Sequence, residues 1–205
     1  MTKIKGSCVL ITGGASGIGR IMGRMALERG AKSLIIWDIN EASIASTIEE
    51  YKKLGTVKGY KVDVSNTQQV QEVAALTEKE CGNVDILINC AGIVANNETF
   101  DKQTIRDIER TISINTTAPM IIAQQFLSKM IERNHGHICN IASAAGMLAN
   151  PRMSVYAASK WGVIGWSDSV RIELQADQIG HRQHFLQFAE INTFCHFSPF
   201  LRDVF

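Results

Sequence analysis

Tyr156 and Lys160 stand four residues apart in Ser154-Val-Tyr-Ala-Ala-Ser-Lys160. If Ser154 caps a helix that begins just after it, both side chains leave the same face and address the same ligand. A phenol with a reference pKa of about 10 is a poor base at neutral pH, and an ammonium beside it favours the phenolate. The pair is therefore equipped for general acid/base work on a hydroxyl or carbonyl oxygen. Ser143, a little upstream, can offer a hydroxyl to that same oxygen. Taken alone, Tyr and Lys at this spacing are as well explained as ordinary neighbours on a helix surface, so the elements around them decide.

A strand over Ser7 to Ile11 runs into Thr12-Gly13-Gly14-Ala15-Ser16-Gly17-Ile18-Gly19, and Arg20 to Arg29 follows with apolar Ile21, Met25 and Leu27 at helical spacing. Glycines between a strand and a helix let the backbone approach a pyrophosphate whose charge lies on the helix N-terminus. Gly13, Ser16, Gly17, Ile18 and Gly19 are therefore candidate cofactor-binding residues. A second strand, Ser33 to Trp37, ends at Asp38, placed to accept hydrogen bonds from both ribose hydroxyls and to repel a 2′-phosphate. That favours NAD over NADP, with Asn40 the better N-cap for the helix from Glu41.

A third strand over Val57 to Val62 brings Asp63 and Val64 to where they can meet an adenine ring or simply turn the chain. After an amphipathic helix, Thr67 to Cys81, a fourth strand over Val84 to Ile88 ends in Asn89-Cys90-Ala91-Gly92, where small residues suit close approach of a ligand. Lys102 to Arg133 reads as a long helix with a break: Pro119 removes a backbone bond, and the resulting kink near Asn115 frees groups that can hold a water. A fifth strand, His137 to Ala142, delivers Ser143, and a helix from Ser154 to Gln175 carries Ala157, Ala158, Gly162 and Gly165 as a small-residue face. This alternation predicts an α/β fold with a Rossmann-type, doubly wound parallel β-sheet and helices on both faces.

The chain has 205 residues, 45% of them hydrophobic and 20% charged, with a net charge of +1, which fits one globular domain. No Lys/Arg run argues for nucleic acid, and no transmembrane or signal segment is legible. Cysteines 8, 81, 90, 139 and 195 form no Cys-x-x-Cys pair. With Cys8, Cys90 and Cys139 falling in expected strands, they read as core thiols of a reducing cytoplasm rather than metal ligands.

Together Thr12-Gly13-x-x-x-Gly17-x-Gly19, Asp63, Asn89-x-Ala91-Gly92, Asn115, Ser143 and Tyr156-x-x-x-Lys160 resemble the short-chain dehydrogenase/reductase family from about Ser7 to Leu174. The resemblance implies that Tyr156 is the general acid/base and that Lys160 lowers its pKa and binds the nicotinamide ribose. It also implies that Ser143 holds the substrate oxygen, that Asn115 orders a relay water, and that Asn89, Ala91 and Gly92 line the cofactor cleft. The implied reaction is hydride transfer between NAD(P) and a small-molecule alcohol or carbonyl. His135-Gly136-His137-Ile138 and Ala142-Ser143-Ala144-Ala145-Gly146 look most like the branch of retinol and hydroxysteroid dehydrogenases, which implies an apolar substrate. A homodimer or homotetramer, joined through the helices carrying Asn115 and Tyr156, is the assembly implied.

Residues 1–176 are expected to form the dinucleotide-binding and catalytic domain, and 177–205 an atypical tail of that domain. Six of the eight phenylalanines lie between His181 and Phe205. His184 to Phe188 reads as a sixth strand, and Thr193 stands where the family places a threonine against the nicotinamide amide, without the family's Pro-Gly turn. The final strand and substrate cover are therefore expected to be incomplete. The competing reading is a truncated, catalytically inactive member that binds dinucleotide or partner subunits only. A sugar-nucleotide epimerase of the extended family would need a further substrate domain, for which the chain has no room.

Overall fold

The computed structural model describes residues 3–176 and 186–189. Six parallel strands form one sheet in the order β3-β2-β1-β4-β5-β6. They are β1 (Cys8–Thr12), β2 (Ser33–Asp38), β3 (Thr56–Lys61), β4 (Ile86–Asn89), β5 (Gly136–Asn140) and β6 (Leu186–Ala189). Between them run α1 (Gly17–Glu28), α2 (Glu41–Tyr51), α3 (Thr67–Cys81), α4 (Ile105–Ile112), α5 (Ala118–Glu132) and α6 (Ser154–Ala176).

Successive strand side chains point to opposite faces, and here both faces are covered, so β1, β2 and β4 are continuously apolar up to the polar residues at their ends, Thr12, Ser33, Asp38 and Asn89. Leu10, Ile35, Trp37 and Leu87 pack on one side with Val70 and Ala74 of α3 and Ile122, Phe126 and Met130 of α5. Val9, Ile11, Leu34, Ile36, Ile86 and Ile88 pack on the other with Met22, Ala26 and Leu27 of α1 and Ile44 and Tyr51 of α2. The doubly wound parallel fold is therefore the one expected.

The chain builds outward from β1 to β3 and then crosses to β4 on the other flank of β1. In such sheets the crevice at the carboxyl ends of the two strands flanking this reversal is the binding position. The two flanks are joined there by Thr12, whose Oγ1 accepts from Cys90 N and Ala91 N, both at 3.1 Å.

Several details differ from the sequence reading. Helix α1 begins at Gly17, and its buried side is Gly19, Met22, Gly23, Ala26 and Leu27; Ile21 is exposed. The long helix divides into α4, a π-helical turn over Ser113–Thr117, and α5 with Pro119 in its first turn. In a regular α-helix Pro119 would have to donate to the carbonyl of Asn115 and has no N–H to do so. The ladder widens instead, with Ala118 N bonded to Ser113 O. Ala157 N donates to Met153 O, so Ser154 is the first residue inside α6 rather than its cap. Cys90 lies one residue beyond β4 and is half-buried. The sixth strand starts at Leu186, with Gly136 paired to Leu186 and Cys139 to Ala189. Thr193 and Cys195 lie outside the described residues. No helix among the described residues is long and apolar enough to cross a membrane.

Candidate active site

The turn after β1 closes with Gly13 N bonded to Trp37 O at 2.7 Å. Gly17 has φ +49°, and a Cβ there would meet nothing within 4 Å, so its backbone is open to a ligand. Gly19 is the opposite case: a Cβ would stand 2.3 Å from Gly13 O, so the first turn of α1 sits directly on the glycine turn.

Helices α2, α3 and α4 each have an N-cap side chain, Asn40, Asn66 and Thr104, bonded to a first-turn N–H. Helix α1 has Ser16 at that position, with no side-chain cap bond and no acid in the first turn. Its end, with Ser16, Gly17 and Ile18 exposed, suits the anionic pyrophosphate of a dinucleotide.

Asp38 is drawn against that turn. Its Oδ2 accepts from Ala15 N and its Oδ1 from Asn40 N, both at 3.1 Å. Each bond occupies one acceptor position and leaves lone pairs on the same oxygens for ribose hydroxyls. Asp63 is bonded within its own turn, Oδ1 accepting from Ser65 N at 3.0 Å and from Ser65 Oγ at 2.6 Å. Val64 beside it is buried.

Across the crevice, Asn89 is buried and donates through Nδ2 to Asn140 Oδ1 at 2.8 Å, so its amide ties β4 to β5. Ala91 and Gly92 line the exit loop. A Cβ on Gly92 would lie 3.4 Å from Asn115 Oδ1 and 3.5 Å from Lys160 Nζ. Asn115, 1% exposed, clasps the peptide groups of Ile93: Ile93 N donates to Oδ1 and Nδ2 donates to Ile93 O, both at 2.8 Å. Its side chain is thereby committed to these two groups and to Ser159 Oγ.

Lys160 is 5% exposed and donates to Ile141 O at 2.7 Å. Burial pushes its ammonium down to about 8. Its Nζ lies 5.8 Å from the centroid of the half-buried Tyr156 ring. Ser143 caps a short 3₁₀ turn, Ala144–Gly146, with Oγ accepting from Ala145 N at 3.3 Å. That turn is pressed on α6: a Cβ on Gly146 would stand 3.2 Å from Lys160 O. Asn115, Ser143, Tyr156 and Lys160 thus come from the π turn, the exit of β5 and the first turns of α6 to the carboxyl end of β4 and β5.

A profile of the short chain dehydrogenases matches residues 7–182. The chain belongs to the short-chain dehydrogenase/reductase family. It is 38% identical over 192 residues to short-chain dehydrogenase/reductase family 16C member 6 of Bos taurus, covering 93% of this chain and 57% of that one. It is 37% identical to estradiol 17-beta-dehydrogenase 11 of Homo sapiens over 86% of this chain and 59% of the relative. Identity to epidermal retinol dehydrogenase 2 of Mus musculus is 36%, over 85% of this chain and 56% of the relative. These names bear out the retinol and hydroxysteroid branch. A short chain dehydrogenase/reductase from Burkholderia phymatum in complex with NAD superposes with a TM-score of 0.85 at 29% identity, covering 93% of this chain and 66% of that one. The chain spans a little over half the length of these curated relatives.

Within this short-chain dehydrogenase/reductase, residues the sequence reading did not single out support the site: Thr116, Asn140, Ser159 and Ser167. Their signal is a polar side chain at a position the helical or strand period assigns to the interior. Asn140 Nδ2 donates to Ser167 Oγ at 2.9 Å, and Ser159 is fully buried.

Proposed function

We propose that this chain is an NAD-dependent oxidoreductase acting on an apolar alcohol or the corresponding carbonyl. The observation that carries this reading is the meeting of Tyr156, Lys160 and the Ser143 turn at the end of the crevice whose other end is the uncapped start of α1.

Gly13, Ser16, Gly17, Ile18 and Gly19 would cradle the pyrophosphate, and Asp38 would bind the adenosine ribose. Asp63 and Val64 would stand by the adenine, and Ala91 and Gly92 by the middle of the cofactor, with Asn89 behind them. NAD supplies the hydride acceptor or donor when bound. Tyr156 gives or takes the proton at the substrate oxygen, and Ser143 Oγ holds that oxygen in line. Lys160, fixed by Ile141 O, places its ammonium toward Tyr156, and the main chain at Asn115 holds the water that reloads the proton. Thr193 is assigned to the nicotinamide amide.

Exposed Val94, Met147 and Leu148 flank the Asn115 and Ser143 segments and give the mouth an apolar lining, in keeping with a steroid-like or retinoid-like substrate. Phe100, Ile105, Trp161 and Ile172 are exposed on the α4 and α6 side. They support a homodimer or homotetramer formed there. Gly162 is turned inward on Thr116, whereas Gly165 has open space before it and fits that contact. Free thiols at Cys8, Cys81, Cys90 and Cys139 fit a reducing, cytoplasmic setting.

Titration with NADH and NADPH, followed by nicotinamide fluorescence, tests the reading, together with turnover of steroid and retinoid alcohols. Saturable binding that favours NADH, with turnover, is expected. Asp38→Ala should weaken NADH about tenfold and NADPH much less, since it removes a charged acceptor from ribose hydroxyls. Equal losses would take Asp38 off the ribose. NADH binding without turnover would support the inactive reading, and no binding of either cofactor by folded protein would overturn the dinucleotide site.

A further inference from the structure

Ser159 sits between Tyr156 and Lys160 on α6, fully buried, and every polar atom beyond its backbone N–H is held by a specific partner. Its Oγ accepts from Asn115 Nδ2 at 3.1 Å and donates to Tyr156 O at 2.6 Å. Its carbonyl accepts from Thr116 Oγ1 at 2.9 Å. Two successive residues of the π turn thus grip one residue of α6 from two directions. The methyl of Thr116 closes the contact, lying 3.1 Å from where a Cβ on Gly162 would be. Since Asn115 also holds both peptide groups of Ile93, the exit loop of β4, the π turn and the catalytic turn of α6 are joined by one chain of hydrogen bonds.

Resting on the oxidoreductase reading above, we propose that Ser159 and Thr116 are positioning residues that fix the rotation of α6 about its axis, and with it the place of the Tyr156 hydroxyl. The leverage is large. A tyrosine hydroxyl reaches about 9 Å from the axis of a helix whose Cα radius is about 2.3 Å, so a turn of about 10° moves it about 1.5 Å. A misplacement of about 1 Å is enough to slow a reaction about a hundredfold. Apolar packing alone would hold that angle less sharply, because dispersion contacts are weakly directional whereas a hydrogen bond weakens steeply when misaligned.

The test uses the full chain and its Ser159→Ala, Thr116→Val and Thr116→Ser variants. Thr116→Val keeps the shape and removes the hydroxyl, and Thr116→Ser keeps the hydroxyl and removes the methyl. Ser159→Ala and Thr116→Val should each lower kcat about tenfold with KM and NADH affinity within about twofold, and Thr116→Ser should restore most of the rate. A readout independent of turnover is the ¹⁹F spectrum of protein labelled with 3-fluorotyrosine. The three tyrosines, at 51, 60 and 156, are assigned through Tyr156→Phe. The Tyr156 resonance should move in Ser159→Ala and Thr116→Val while the Tyr51 and Tyr60 resonances stay. An unmoved Tyr156 resonance in both variants, with NADH still bound, overturns the proposal even where melting temperature falls. Absence of wild-type turnover on every alcohol would overturn the oxidoreductase reading instead, and the fluorine spectrum still decides the positioning role.

Discussion

The two flanks of the sheet hold their functional groups by different means. On the β1 to β3 flank the site is made of backbone: the glycine turn closes on Trp37 O, the uncapped start of α1 faces outward, and Asp38 is steadied by the N–H groups of Ala15 and Asn40. On the β4 to β6 flank it is held by buried amides and hydroxyls that meet across long stretches of chain, Asn89 with Asn140, Asn115 with Ile93 and Ser159, Asn140 with Ser167. The first flank is a shape that admits a ligand. The second is a network of buried polar side chains, and such networks tolerate the loss of a member poorly because each remaining polar atom is then buried without its partner.

The largest effect that separates the flanks is Tyr156→Phe. It removes one hydroxyl from the half-buried ring and almost no contact area, so kcat should fall about a thousandfold while NADH affinity changes less than about twofold. Stopped-flow turnover beside fluorescence titration reads both; a tyrosine that could be removed with turnover intact would not be the acid/base. Gly19→Ala is the mirror experiment. Its methyl would have to enter a space only 2.3 Å from Gly13 O, so the glycine turn must open. NADH affinity should drop about a hundredfold with a stability loss of about 2 kcal/mol, measured by titration and urea unfolding. Full-strength NADH binding in this variant would mean that the turn does not carry the cofactor.

That difference also explains what could be read in the chain before its structure. Strand, glycine turn, helix and Asp38 lie within one short stretch, and each is recognised by local rules of periodicity and capping. The doubly wound sheet, the break near Asn115 and the cap at Asn40 were all legible on those terms. Boundaries slipped where two rules compete: Gly17 and Gly19 look like loop but already belong to α1, because the tight packing on Gly13 O needs glycine inside the helix. The Ser159 clasp and the Asn89–Asn140–Ser167 ties were not legible, since the period can place a polar side chain in the interior but does not name its partner, which lies 27 to 51 residues away. The side-chain amide of Asn89, at the end of β4, is bonded across to Asn140 of β5, a partner no local rule identifies.

A pH experiment tests the catalytic flank as a whole. Burial lowers Lys160 to about 8 and His137, 1% exposed on β5, to about 4. Both groups bind more protons in the unfolded chain, so the contribution of each to stability rises with pH, in two separate windows. The His137 contribution is complete above its unfolded value near 6.5 and is lost as pH falls toward 4. The burden of the charged Lys160 is present in full below about 8 and is relieved between there and its unfolded value of 10.5. Each step amounts to about 3 kcal/mol at a conversion of about 1.4 kcal/mol per pH unit. Urea midpoints should show the lower rise in the wild type; the upper one is read as the difference between wild type and Lys160→Met, because burial pushes the thiols of Cys90 and Cys139 up to about 11 and about 12 and their titration in the unfolded chain opposes it from about pH 9. A difference between the two proteins that stays flat from pH 8 to 10.5 would place the ammonium in better-solvated surroundings.

The smallest effect lies in the turn after β3, where the local character of the dinucleotide flank is most complete. Asn66 caps α3 by accepting from Gln69 N at 3.1 Å, Gln69 Oε1 accepts from Asp63 N at 2.8 Å, and Asp63 accepts twice from Ser65. All of these bonds fall within seven residues, so removing the cap leaves the others closed. Asn66→Ala should lower stability by about 1 kcal/mol, the usual contribution of such a cap, with NADH affinity within about twofold. Asp63→Ala, which opens the turn itself, should weaken NADH further than Asn66→Ala if Asp63 and Val64 stand against the adenine. Equal affinities for the two variants would reduce Asp63 to a residue that bends the chain, and would leave the adenine end of the site to Asp38 and the glycine turn.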